Sequence, residues 1–328
     1  MTDTRYDVIA IGSAIVDILA RVDDALIKDF GMVKGTMALC TAEQSEDIYR
    51  RMGKAIEVAG GSAANTIAGV ASLGGTPSFI GKVGNDKLGD IFAHDIQVTG
   101  ADYLKRTGTK PTATCHVLVT EDGQRTMNTF LGASTELEPS DIDAAAVGAA
   151  NVLYIEGYQW DLPQAKAAIR KACQASKGAG RKVALSLSDP FVVDRHRADL
   201  LTLINEDVDI LFGNEIEIFQ LYEAGNLETA VERVRNSKTL AIMTRSAKGA
   251  VAFDGQTTIA VDAAPVAKVV DTTGAGDLFA AGFLYGYTHG RDLKNCLKIG
   301  ALAAAEVISH MGARPEISLR DLLTRHGL

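Results

Sequence analysis

Cysteine is scarce in this 328-residue chain: Cys40, Cys115, Cys173 and Cys296 are the only four, and they are dispersed. None stands at CxxC spacing, so a dithiol redox motif or cysteine zinc cluster is excluded and reduced thiols in a cytoplasmic protein are predicted. No second His or Cys lies at ligand spacing from His116, which therefore reads as a strand residue and not a metal ligand. No Lys/Arg cluster interleaved with aromatics occurs, and the net charge is −8. Both facts argue against a nucleic-acid or anionic-membrane partner. No apolar stretch is long enough to span a bilayer. The N-terminus lacks a basic region. Its apolar run over residues 8–19 is interrupted by Asp17 and reads as a buried strand, not a signal peptide. No Gly-x-Gly-x-x-Gly follows that run, and Gly81-Lys82-Val83 lacks the Ser/Thr and the earlier glycine of a P-loop. Sequence repeats and low-complexity linkers are missing too.

What remains is a chain with 47% hydrophobic residues, of a length that suits one large α/β domain over 1–328. Tyr6-Asp7-Val8-Ile9-Ala10-Ile11-Gly12 has the look of a central strand covered on both faces. Short apolar strands recur at 152–155, 183–187, 210–212 and 240–244, with helical segments at 163–175, 217–222 and 227–234 between them. This alternation predicts an α/β fold: a doubly wound, mostly parallel sheet with helices on both faces. Residues 113–131 alternate about the turn Glu121-Asp122-Gly123, a hairpin signal. With a strand at 36–40 the hairpin would build a small β lid from inserted segments, about 16–58 and 107–133. Helices are expected at 22–30 and 45–52.

The chain is organised around Asp271-Thr272-Thr273-Gly274-Ala275-Gly276-Asp277. It follows the β-rich run Lys268-Val269-Val270 and opens a helical run over 278–286. Gly274 and Gly276 let the backbone turn and leave amides uncovered at a helix N-terminus, which favours a bound anion such as phosphate. A carboxylate beside that anion hole is electrostatically awkward unless it has a use. Accepting a proton from a hydroxyl that attacks phosphate is such a use for Asp277. The plainer reading is a glycine-rich turn with a favourable first-turn acid.

Other stretches carry two readings each. Asp17 is a capping or solvated aspartate, or a carboxylate that holds a diol. Ala59-Gly60-Gly61-Ser62-Ala63-Ala64-Asn65 is a tight glycine turn before a small-residue helix, or a close approach to a ligand. Arg125 is a solvated arginine or a bidentate phosphate clamp. Asn214 and Glu217 have capping-box spacing. The helix expected over 293–311 has a small face, suited to close packing and to one wall of a base slot.

The two glycine motifs resemble the signatures of the ribokinase-like (PfkB) carbohydrate and nucleoside kinases, and the resemblance extends from residue 7 to about 312. It implies Asp277 as base and the Gly274, Ala275 and Gly276 amides as anion hole, with Arg125 assisting. Gly60, Gly61, Ser62 and Asn65 would line the sugar site with Ser13. Asn214, Thr244, Gly249 and Thr273 would contact nucleotide, and Glu217 would order Mg²⁺ through water. Within the family the adenosine-phosphorylating branch is nearest, through Pro111-Thr112-Ala113-Thr114-Cys115 and Leu187-Ser188-Asp189-Pro190-Phe191. By position, Asp17 would hold the ribose diol and Tyr158 would stack on the base. Cys115, Met127, Thr129 and Leu131 would line the lid side. Ser13 departs from an asparagine and Thr129 from an apolar residue of such relatives. The implied activity is ATP-dependent, Mg²⁺-supported phosphorylation of the adenosine 5′-hydroxyl by a monomer or homodimer. The rivals are a kinase of a free sugar or another nucleoside, and a non-catalytic nucleoside-binding protein. Intact Asp277 and its glycines argue against the last.

Overall fold

The computed structural model describes residues 4–235, 237–254 and 256–328. Its main sheet has nine strands. From one edge they run Thr258–Val261, Ala250–Phe253, Leu240–Thr244, Ile210–Asn214, Lys182–Ser186, Ala150–Glu156, Tyr6–Ile11, Pro77–Ile80 and Asp102–Tyr103. Ala250–Phe253 pairs antiparallel with both of its neighbours, and every other pairing is parallel. Side-chain alternation divides this sheet between two cores. Val8, Ala10, Val152 and Tyr154 pack under the helices Ser62–Ser72, Ala275–Thr288 and Leu293–Val307. Ile9, Ile11, Leu153 and Ile155 pack under Pro163–Gly178 and Pro190–Glu206. Burial on both faces explains why these strands read as continuous apolar runs, each large side chain contributing about 1.5–3 kcal/mol.

A second sheet, in the order Met37–Leu39, Arg125–Phe130, Ala113–Val119, Ile15–Arg21 and Ala55–Gly60, covers the strand ends like a lid. The apolar run at 8–19 is thus two strands in two sheets, not one. In Ile15–Arg21 the residues Val16, Ile18 and Ala20 are buried in the core, while Ile15, Asp17 and Leu19 face the cleft. Asp17 is the third residue of this strand, not a strand-end cap.

Two further expectations fail locally. Lys268-Val269-Val270 forms no strand: both valines are exposed, and the Val270 N–H donates to the Ile308 carbonyl at 2.8 Å instead of a ladder. The helix expected over 293–311 stops at Val307, capped at Ile308, and is not the last: Leu319–His326 follows it. The small face of Leu293–Val307 does pack closely. A Cβ on its Gly300 would lie 2.7 Å from the Phe279 carbonyl oxygen. No residue of this helix lines the cleft.

Candidate active site

The carboxyl ends of the parallel strands and the lid enclose a cleft of about 1060 Å³. This is where doubly wound sheets place ligands. At its floor, Gly274 (φ 77°) starts the helix Ala275–Thr288. Asp277 stands in the first turn. Ser62 Oγ donates to its Oδ1 at 2.7 Å and Asn65 Nδ2 to its Oδ2 at 3.0 Å. Ser62 and Asn65 are three apart on the helix Ser62–Ser72, hence on one face. Burial raises the Asp277 carboxyl above the ordinary range, and these two donors oppose the rise. The result is an oriented carboxylate of enhanced basicity. Of the three amides expected to form the anion hole, Ala275 N–H is taken up by the Thr272 carbonyl at 3.3 Å. The N–H groups of Gly276 and Asp277 lie in the first turn, which offers them no intrahelical acceptor.

The glycine pair is fixed by sterics. Gly61 has φ 93°, and a Cβ there would meet the Ser13 carbonyl oxygen at 2.3 Å. Gly60 underlies Asp17 in the same way and is not itself on the cleft wall. Burial pushes the Asp17 carboxyl up to about 7, against the pull of Arg314 and Arg125. Ser13 is held by Gln159, whose Nε2 donates to its Oγ at 2.7 Å.

Arg125 reaches from the lid to the motif loop. Its Nη1 lies 2.7 Å from Asp271 Oδ2 and donates to Thr273 Oγ1 at 3.2 Å. Asp271 also accepts from Thr273 N, Thr273 Oγ1 and Gly312 N at 3.1, 2.7 and 2.8 Å, so one carboxylate ties three segments together. The lid contributes Cys115, Met127, Thr129 and Leu131 to the cleft wall. Tyr158, 39% exposed in the turn Gly157–Asp161, lines the same cleft and donates from its hydroxyl to the Ser188 carbonyl at 3.2 Å.

Asn214 and Glu217 form the expected capping box. Glu217 accepts from Asn214 N and Nδ2 at 2.9 and 2.8 Å, and Asn214 Oδ1 accepts Glu217 N–H at 2.9 Å. Both also line the cleft, with Thr244 nearby, and burial lifts Glu217 to about 7. Each Glu217 oxygen retains lone pairs. Among the described residues no cluster of three or more metal-ligating side chains occurs. One carboxylate with free lone pairs on a cleft wall suits Mg²⁺, which keeps most of its waters. Gly249 (φ 81°) is buried against the Val261 carbonyl, off the cleft wall, while Thr273 is on it.

Glu156, Gln159 and Arg314 also line the site without having been expected there, and Asp271, expected only as part of the motif, proves to be its tie to the lid. Glu156 is 1% exposed, accepts N–H groups from Ser13 and Ala63 at 3.3 and 3.0 Å, and rises to about 7 through burial. A lone charge ending the apolar run 152–155 is the same signal that singled out Asp17.

The doubly wound sheet, the β lid and the carboxylate in the first turn of a helix are the arrangement the ribokinase-like resemblance implies. The comparisons agree. Residues 32–319 match the pfkB family carbohydrate kinase model, and the chain belongs to that family. It is 47% identical to a solved structure described as adenosine kinase from Sinorhizobium meliloti, with TM-score 0.90, covering 99% of this chain and 100% of that one. It is equally 47% identical, with TM-score 0.91 and 99% of both chains covered, to a probable sugar kinase protein from Rhizobium etli CFN 42. A 5-dehydro-2-deoxygluconokinase of Bacillus velezensis is 28% identical, covering 94% of this chain and 90% of its own. Kinases of this family generally use ATP with Mg²⁺. No helix among the described residues is long and apolar enough to cross a membrane.

Proposed function

We propose that the protein transfers the γ-phosphoryl group of ATP to the 5′-hydroxyl of adenosine, giving AMP and ADP. The observation that carries this reading is the shape of the cleft beside Asp17. Tyr158 and the lid face of Cys115, Met127 and Leu131 provide apolar surface that a nucleobase would use and a free sugar would not. The 47% identity to a protein described as an adenosine kinase supports the same choice.

In this reading the 5′-oxygen attacks the γ-phosphorus, its O–P bond forms, and the bond to the β-phosphate oxygen breaks. Asp277 accepts the hydroxyl proton. An aspartate suffices because the transition state is loose and the proton leaves late. Ser62 and Asn65 aim the carboxylate. The first-turn amides and Arg125 stabilise charge on the transferred group. Asn214, Thr244 and Thr273 would contact the nucleotide. Glu217 would hold Mg²⁺ through water, and Mg²⁺ neutralises phosphate charge when bound. Asp17, with the Gly61 backbone and Ser13, would hold the ribose, and Gly60 would leave room for the Asp17 carboxylate.

A second reading, a free-sugar or sugar-acid kinase on the same scaffold, is favoured by the Rhizobium etli and Bacillus velezensis similarities. Chromatography of the product formed from adenosine and ATP–Mg²⁺ tests the choice. Stoichiometric AMP supports the first reading. ATP turnover only with sugars supports the second.

A further inference from the structure

The loop after the helix Leu293–Val307 is pinned at both ends. In front, Gly312 N–H donates to Asp271 at 2.8 Å. Behind, Glu306 accepts from the N–H groups of Glu316 and Ile317 at 3.0 and 3.3 Å. Between them Ala313 sits so close to Gly274 that a Cβ on that glycine would lie 2.8 Å from it. From this fixed base Arg314 enters the cleft lining.

Its Nε and Nη2 are buried, and among the described residues neither meets an acceptor. Burying guanidinium donors without partners is unfavourable, so a rigid loop that does so marks a use for them. Two anions face Arg314: Asp17 and Asp95. Asp95 is engaged, its Oδ2 accepting Ala59 N–H at 2.9 Å. Asp17 is faced by Arg314, Arg125, Asp277 and the Cys115 thiol. Arg125 is already paired with Asp271. Among the described residues Arg314 is therefore an uncommitted cation beside a carboxylate that no ion pair claims.

We propose that Asp17 and Arg314 form a two-sided clamp for a vicinal cis-diol, which makes Arg314 a specificity-determining residue. The carboxylate accepts a hydrogen bond from each of the two hydroxyl groups. The guanidinium fork donates to lone pairs on the same two oxygens, as it does to the paired oxygens of a carboxylate or phosphate. The positive charge also opposes the rise that burial imposes on Asp17. This inference rests on the nucleoside reading above. A sugar-acid carboxylate on Arg314 is the less favoured occupant, because Asp17 beside it repels an anion.

The unmodified enzyme gives the first test. Adenosine, 2′-deoxyadenosine and 3′-deoxyadenosine are compared, and removal of either hydroxyl is expected to raise KM about 10- to 100-fold, as loss of a hydrogen bond to a charged group does. Arg314→Gln is expected to raise KM for adenosine by a similar factor and leave the deoxy analogues within about 3-fold, so that selectivity collapses. It should also move the acid limb of kcat/KM to higher pH. In Asp17→Asn the Asp17 contribution to that limb should disappear, leaving only the limb set by Asp277. Arg314→Lys keeps the charge, should restore the limb, and should recover selectivity only in part. Deoxy analogues used as well as adenosine, or Arg314→Gln harming all three alike with an unmoved limb, would overturn the clamp. If the enzyme uses a sugar and no nucleoside, the adenosine reading fails by itself. The clamp is then judged on that sugar against its deoxy form. Preference for a carboxylated sugar, lost in Arg314→Gln, would also overturn it.

Discussion

Gly60 and Asp17 lie on adjacent antiparallel strands of the lid so closely that a Cβ at 60 would fall 2.3 Å from Asp17 Oδ2. The glycine thus fixes where the carboxylate points. Gly60→Ala adds one methyl without requiring a forbidden backbone, since Gly60 does not have positive φ. It is expected to raise the nucleoside KM about 10- to 100-fold through displacement of Asp17, on the scale of an ångström's misplacement. Steady-state kinetics beside a melting curve check this. An unchanged KM would show that Asp17 does not hold substrate.

Asp277→Asn retains the shape of the side chain and removes the base. A fall in kcat of roughly 10²–10⁴-fold is expected, with ATP affinity little altered. Near-normal turnover in a clean preparation would remove Asp277 from the chemistry.

Glu217→Gln leaves one acceptor oxygen where two are now used by Asn214. A loss of about 0.5–2 kcal/mol in stability is expected from the weakened cap. If Glu217 also orders Mg²⁺, the Mg²⁺ concentration for half-maximal rate rises. A stability loss with an unmoved Mg²⁺ curve leaves only the cap.

Burial raises Glu156 from 4.5 to about 7. Folded protein therefore binds its proton more tightly than unfolded chain does, so this group's stabilisation is complete below about 4.5 and is lost as pH rises to about 7. Glu156→Gln cannot titrate, and its stability should depend less steeply on pH in that window. Parallel stability–pH curves for the two proteins would contradict the assignment.

Much of this was legible in the sequence because it is local. The strand runs 152–155, 210–212 and 240–244 are buried on both faces. The hairpin about Gly123 and the Asn214–Glu217 cap depend on neighbours in the chain. Lys268–Val270 misled because β propensity there is overridden by a bond to the Ile308 carbonyl. The strand Ala55–Gly60 escaped notice because its exposed Ile56 and Val58 face the cleft. Asp271 stands in the motif, but its role arises from a distant pairing with Arg125 on the lid, and that of Arg314, with no local signal, from its approach to Asp17.

Substrate choice is the central claim, and the most direct test is kcat/KM measured side by side for adenosine, ribose, fructose and 5-dehydro-2-deoxygluconate, each with ATP and Mg²⁺. Tyr158→Ala serves as the internal control. The expected result is a clear preference for adenosine. Tyr158→Ala should reduce that preference by about 5- to 150-fold, the range that base stacking implies, without harming any sugar. A sugar or sugar acid phosphorylated as efficiently as adenosine, with Tyr158→Ala indifferent, would contradict it.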